Sequence, residues 1–204
     1  MGFPAFFDQA PRILVRDGLA ELLGAAEGGL IEYGYADAVR VAGHSCPTVA
    51  GTWLMARAAL RALYPDGPAE RGEITVTMSE GEAEGTTGVM AQVFTLVTGA
   101  AAANGFHGIG GRYKRRGLLH YASNERGAIA SLRRNDSGET VNVAMDLSSV
   151  PPAPEMRMLM GQALSPAASD ADRAALGAVW QERVRRLLIE HADDQTVIIV
   201  HRRS

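Results

Sequence analysis

Cysteine occurs once in the chain, as Cys46, and lysine once, as Lys114. A lone cysteine excludes an internal disulfide and any zinc cluster built from cysteines alone within one chain. Aromatic residues make up only 6% of the 204 positions. No apolar run approaches the roughly 20 residues that a membrane-spanning helix needs. The first residues lack the basic-then-apolar pattern of a secretory leader. With a net charge of -3 the chain also lacks the basic excess that nucleic acid or an anionic membrane surface selects. These absences together predict a soluble, cytoplasmic protein without nucleic-acid or membrane partners.

What is present is ordinary globular composition, 47% hydrophobic against 21% charged. The length suits one domain, or one with an appendage. Apolar spacing predicts one or two short helices over 3–23, a long buried helix over 47–64 and a second over 89–98. Alternation predicts strands over 30–34 and 73–78, and turn residues at 124–127 and 135–138 separate three more over 117–122, 128–134 and 139–147. Pro151, Pro152 and Pro154 mark a joint. Beyond it come a methionine-rich helix over 155–164, a long helix opened by a Ser169/Asp172 capping box, and a last strand over 196–200. Helices and largely antiparallel strands are segregated, so the expected class is α+β, a sheet packed against several helices. The expected division is a first unit at 1–150 and a helical extension with a final strand at 151–204, packed on the same core.

The chain is organised around Gly43-His44-Ser45-Cys46-Pro47. Proline suits the first position of a helix, where its missing N–H costs nothing. Cys46 then falls at a helix N-terminus, which favours a thiolate. An imidazole and a thiol two positions apart are half of a metal site. The bland alternative is a buried cysteine beside a hydrogen-bonded histidine. A Cys-Pro pair can also ligate haem, but no second axial ligand is evident.

The stretch from Tyr35 to Pro47 resembles the opening of the family of formylmethanofuran dehydrogenase E-subunits. There a Gly-His-x-Cys-Pro turn feeds a long helix; later come a helix ending in Thr-Gly, a Gly/Asn-rich turn, a lysine and a strand. Thr98-Gly99 and the tract through Lys114 to Tyr121 follow that layout, so the resemblance covers about residues 35–147. The chain departs from the family pattern at Thr48, where the family has glycine, at Gln92, where it has aspartate, and at Ala100, where it has cysteine. It also lacks the cysteine-rich zinc module that many members carry at the C-terminus. The resemblance implies an E-subunit-like α+β domain, often a homodimer, binding zinc or a similar ion near His44 and Cys46, with no assigned reaction.

Four further histidines could complete such a site. His107, in a glycine-rich turn where backbone can approach another element, is the expected third ligand, and His120 is the second choice. His191 and His201 read as surface positions. Glu80, Glu82 and Glu84 could give an oxygen ligand, but an acidic loop is more often simply solvated. Gly108 to Gly111 with Arg112, Lys114, Arg115 and Arg116 reads as an exposed basic turn; it fits neither a dinucleotide fingerprint nor a P-loop. Met156, Met158 and Met160 are expected in the core or at a dimer contact rather than as copper ligands, since alternate positions do not share a helix face. Two functions follow. In one, zinc or another late first-row metal on His44, Cys46 and His107 keeps an open position for a small substrate, with Lys114 as base or anion anchor. In the other, a non-catalytic carrier or sensor hands its metal to a protein partner.

Overall fold

The computed structural model describes residues 2–122 and 127–203. Its first regular elements are β1 (Ile13–Arg16), α1 (Gly18–Leu22), β2 (Leu30–Tyr33), α2 (Tyr35–Ala42), α3 (Pro47–Leu63), β3 (Ala69–Glu70), β4 (Ile74–Met78) and α4 (Thr87–Thr98). After a long loop come β5 (Leu119–His120), β6 (Ala130–Arg134), β7 (Thr140–Met145), α5 (Met156–Ala163), α6 (Asp170–Arg185) and β8 (Ile198–Arg203). The strands form a five-stranded sheet, β5-β4-β6-β7-β8, and a three-stranded one, β2-β1-β3. The class is α+β. Among the described residues no helix is long and apolar enough to cross a membrane.

α3 is the central member, and its sequence explains why. Pro47 opens it, the Cys46 sulfur caps it, and its alanines and Gly51 let neighbours approach on every side. Eleven of its residues are buried, from Val49 to Leu63. It packs against α2 and α4 on one side and against β7 and β8 on the other. Trp53 is fully buried here, and its indole N–H donates to the Pro11 carbonyl at 2.9 Å. Tyr35 stands edge-on to Trp53, and Phe7 edge-on to Tyr35.

Three expectations are corrected. Two short helical segments do form in the first 23 residues, Ala5–Gln9 and α1, but a strand not expected there lies between them: Ile13 and Val15 are buried while Leu14 is exposed, and β1 becomes the middle of the smaller sheet. A four-residue alternation is too short to outweigh the helical spacing around it. The strand expected over 117–122 shrinks to Leu119–His120 and pairs in parallel with β4 rather than with β6, the strand that follows it. β4 occupies the place between β5 and β6, so these two do not form a hairpin; positions 124–126 of the turn expected between them lie outside the described residues. The methionine helix, finally, buries none of its residues, and Met158 is exposed.

The second turn forms as its residues demand. Gly138 adopts a left-handed φ of 77°, and its N–H donates to the Arg134 carbonyl. The segment after Pro154 joins the common core through Val184, Leu187, Leu188 and Ile198. β8 runs antiparallel to β7 over its whole length.

Candidate metal site

α2 ends where Gly43 turns left-handed at φ 75°, with its N–H bonded to the Val39 carbonyl. Glycine accepts that conformation without the steric cost that a Cβ imposes. The chain leaves α2 through His44 and Ser45 and enters α3 at Cys46. His44 is exposed, and its Nδ1 lies 2.9 Å from the Ala42 carbonyl oxygen. An Nδ1–H donating to that carbonyl fixes the tautomer and leaves the Nε2 lone pair outward, which is the usual outer support for a metal-bound histidine. Cys46 is 9% exposed; its sulfur accepts the Val49 N–H at 3.4 Å as the N-cap of α3.

Ser45 anchors the turn. Its hydroxyl lies 3.0 Å from the Tyr35 phenol and donates to Gln181 Oε1 at 3.0 Å. Its carbonyl accepts from the indole N–H of Trp180 and from Gln181 Nε2. Burial pushes the Tyr35 phenol far above its ordinary range, so it stays protonated and available as a donor. The turn is thus held between α2, α3 and α6.

The other expected ligands stand as follows. His107 is exposed, and its Nδ1 is 3.3 Å from Arg116 Nη1, so a metal at that nitrogen requires the guanidinium to move. His120 is exposed on β5. His191 pairs with Asp194 at 2.9 Å, and His201 is exposed on β8. Among the described residues no three His, Cys, Asp or Glu side chains gather into a metal site. Of the expected ligands, only His44 and Cys46 share one turn, Gly43 to Pro47. Lys114 is exposed in an open hollow with Glu73 and Asn135, and no residue of the Gly43–Pro47 turn lines that hollow.

The basic turn is only partly exposed. Ile109 and Arg112 exchange backbone hydrogen bonds across it, and Arg112 lies over the Tyr113 ring. Arg115, expected at the surface, is buried instead, at 7% exposure. It reaches Asp17, 98 positions earlier, at 2.6 Å and donates to the Arg71 carbonyl. Gly72 makes the space, since a Cβ there would collide with the Arg115 guanidinium. Asp17 is 3% exposed and also takes Arg71 Nη1 at 2.7 Å while capping α1 through the N–H groups of Leu19 and Ala20.

This cluster borders a groove of about 360 Å³ between α4 and the loop that follows it. Arg71, Gln92, Thr95 and Asn104 line it, together with Glu82, Tyr121 and Val41 of α2. Sequence reasoning missed Asp17 and Arg71 altogether. It singled out Gln92 only as a departure from an aspartate, and no local pattern announces a groove assembled from five separate segments.

No family model and no curated protein matches the sequence. Among solved structures, one from Syntrophus aciditrophicus is described as a tungsten formylmethanofuran dehydrogenase E-subunit (FmdE)-like protein; it is 17% identical and matches over 84% of this chain and 73% of its own, with a TM-score of 0.47.

Proposed function

We propose that this is a metal-binding protein in which His44 and Cys46 together hold zinc or another late first-row ion, the remaining coordination positions being filled from outside that pair. The observation that carries the reading is the orientation of His44. Its Nδ1 is tied to its own backbone, and its free nitrogen stands two residues from a cysteine at a helix N-terminus. Two protein donors make an exchangeable site rather than a closed structural one, which favours a carrier or sensor over a metalloenzyme. The exposed position of Lys114 in a separate hollow supports the same preference. A two-fold dimer of the chain is part of the proposal, since a second copy is the simplest outside source of soft donors.

Protein purified without an affinity tag is expected to carry about one equivalent of zinc or a neighbouring metal per chain. Cys46→Ser and His44→Ala should each cut retained metal about tenfold or more, since each removes one of two anchoring donors. Metal content beside a thermal melt checks this, and the fold should survive both changes because its core does not depend on the ion. His191→Ala and His201→Ala should leave the metal in place, and His107→Ala decides whether that histidine is a third ligand. A chain that contains no metal and refuses added zinc would overturn the proposal.

A further inference from the structure

We infer that the groove beside α4 is a binding site for a small organic carboxylate, with Arg71 as its anchor. The inference is independent of the metal, because it rests on a different set of residues.

Charge balance comes first. The buried cluster holds two guanidiniums, Arg71 and Arg115, against one carboxylate, Asp17. Asp17 is saturated, taking both arginines and two backbone N–H groups. Glu73 lies within the field of Arg115, but it is exposed to solvent and does not enter the cluster. One positive charge is therefore left without a buried anion of its own, in a place where solvent screens it poorly. Arg115 is turned inside, its two terminal nitrogens on the Arg71 carbonyl and on Asp17. The surplus is presented by Arg71, which is partly exposed and lines the groove.

Geometry agrees. Arg71 is held rigidly by two of its nitrogens, Nε on the Leu96 carbonyl at 3.1 Å and Nη1 on Asp17. Its Nη2 has no hydrogen-bond partner among the described residues. A guanidinium held through Nε and Nη1 and free at Nη2 is preorganised to donate to a carboxylate oxygen without further loss of side-chain freedom. Gln92, Thr95 and Asn104 face the same space, and among the described residues their side-chain polar groups have no partner either. Ala91, Ala101, Ala102, Leu96 and Leu119 supply an apolar floor.

The same features choose the class of anion. A volume of about 360 Å³ is at the small end of ligand sites. A single free guanidinium nitrogen, Nη2, supports one negative charge. Glu82, which also lines the groove, opposes a dianion such as phosphate, while it would accept a hydrogen bond from a hydroxyl or ammonium group on the ligand. Burial, and after it the nearby Glu82 charge, raise the Tyr121 phenol above its ordinary value, so it too stands there as a donor. A short hydroxy or amino carboxylate matches this arrangement best.

The test is calorimetric titration of the full chain, at fixed ionic strength, with lactate, glycine, butyrate and inorganic phosphate as probes. Saturable one-to-one binding of lactate or glycine, tighter than butyrate and at least about tenfold tighter than phosphate, is expected. Arg71→Lys keeps the charge and the partner for Asp17 but loses the free Nη2; it should weaken binding about tenfold or more while the protein stays folded. Thr95→Val and Gln92→Ala, in the wall of the groove, should each weaken it less. Cys46→Ser should bind the carboxylates like the parent chain, so that failure of the metal reading and failure of this one are separable. No saturable binding of any carboxylate, phosphate bound as tightly as lactate, or unchanged affinity in both Arg71→Lys and Gln92→Ala would overturn the inference.

Discussion

Asp17→Asn is expected to cost about 3–5 kcal/mol of folding stability, a large part of what a domain this size possesses. Asparagine is nearly the same shape and remains a good cap for α1, so the change isolates the charge. Without the carboxylate, Arg71 and Arg115 are left side by side with no buried group to neutralise them. Urea unfolding of the two proteins measures the difference; a loss below about 1 kcal/mol would show the cluster to be far better solvated than its burial implies. The pH dependence carries a sign. Burial pushes the Asp17 carboxyl up, but Arg71, Arg115 and the Ala20 N–H outweigh it, and the net shift is downward. A carboxyl whose folded value is depressed contributes stability above its unfolded value of about 3.9 and loses it as pH falls through the folded value. The gap between parent and Asp17→Asn should therefore be constant near neutrality and narrow below about pH 4.

Trp53→Ala should be comparably damaging, about 3–5 kcal/mol, because the site cannot collapse around the lost ring. Trp53 is enclosed by α3 and by the Phe7–Tyr35 pair, and these are fixed by their own edge-to-face contacts. Trp53→Phe retains much of the volume but leaves the Pro11 carbonyl without its donor, at about 1–3 kcal/mol. Chemical denaturation of both variants checks the order. Equal losses would mean that the hydrogen bond, not the packing, holds the N-terminal segment to α3.

Elements whose cause is local were legible. Pro47 and the apolar run behind it announce α3, the Ser169/Asp172 pair announces α6, and the Gly138 turn announces the β6–β7 hairpin. The central turn itself was legible for the same reason, since Gly43 ends one helix and Pro47 opens the next. What depends on distant partners was not. β1 is a strand because β2 and β3 flank it, not because four residues insist on it. β4 separates β5 from β6, which no turn residue could reveal. Arg115 sits among Arg112, Lys114 and Arg116 and reads as one more solvated charge, yet it alone is buried. Its partner is 98 positions away, and the glycine that admits it, Gly72, is 43 positions away.

Ser45 gives the central turn a property that its own neighbours do not. It is tied by three hydrogen bonds to Trp180 and Gln181, about 135 positions further along the chain. The seating of α6 and the shape of the turn are therefore one equilibrium, and whatever steadies either steadies the other in equal measure. An ion that prefers the seated turn would slow amide exchange along α6, a helix that offers it no ligand. Reciprocally, Gln181→Ala should loosen an ion at His44 and Cys46 by the same factor by which that ion steadies the helix.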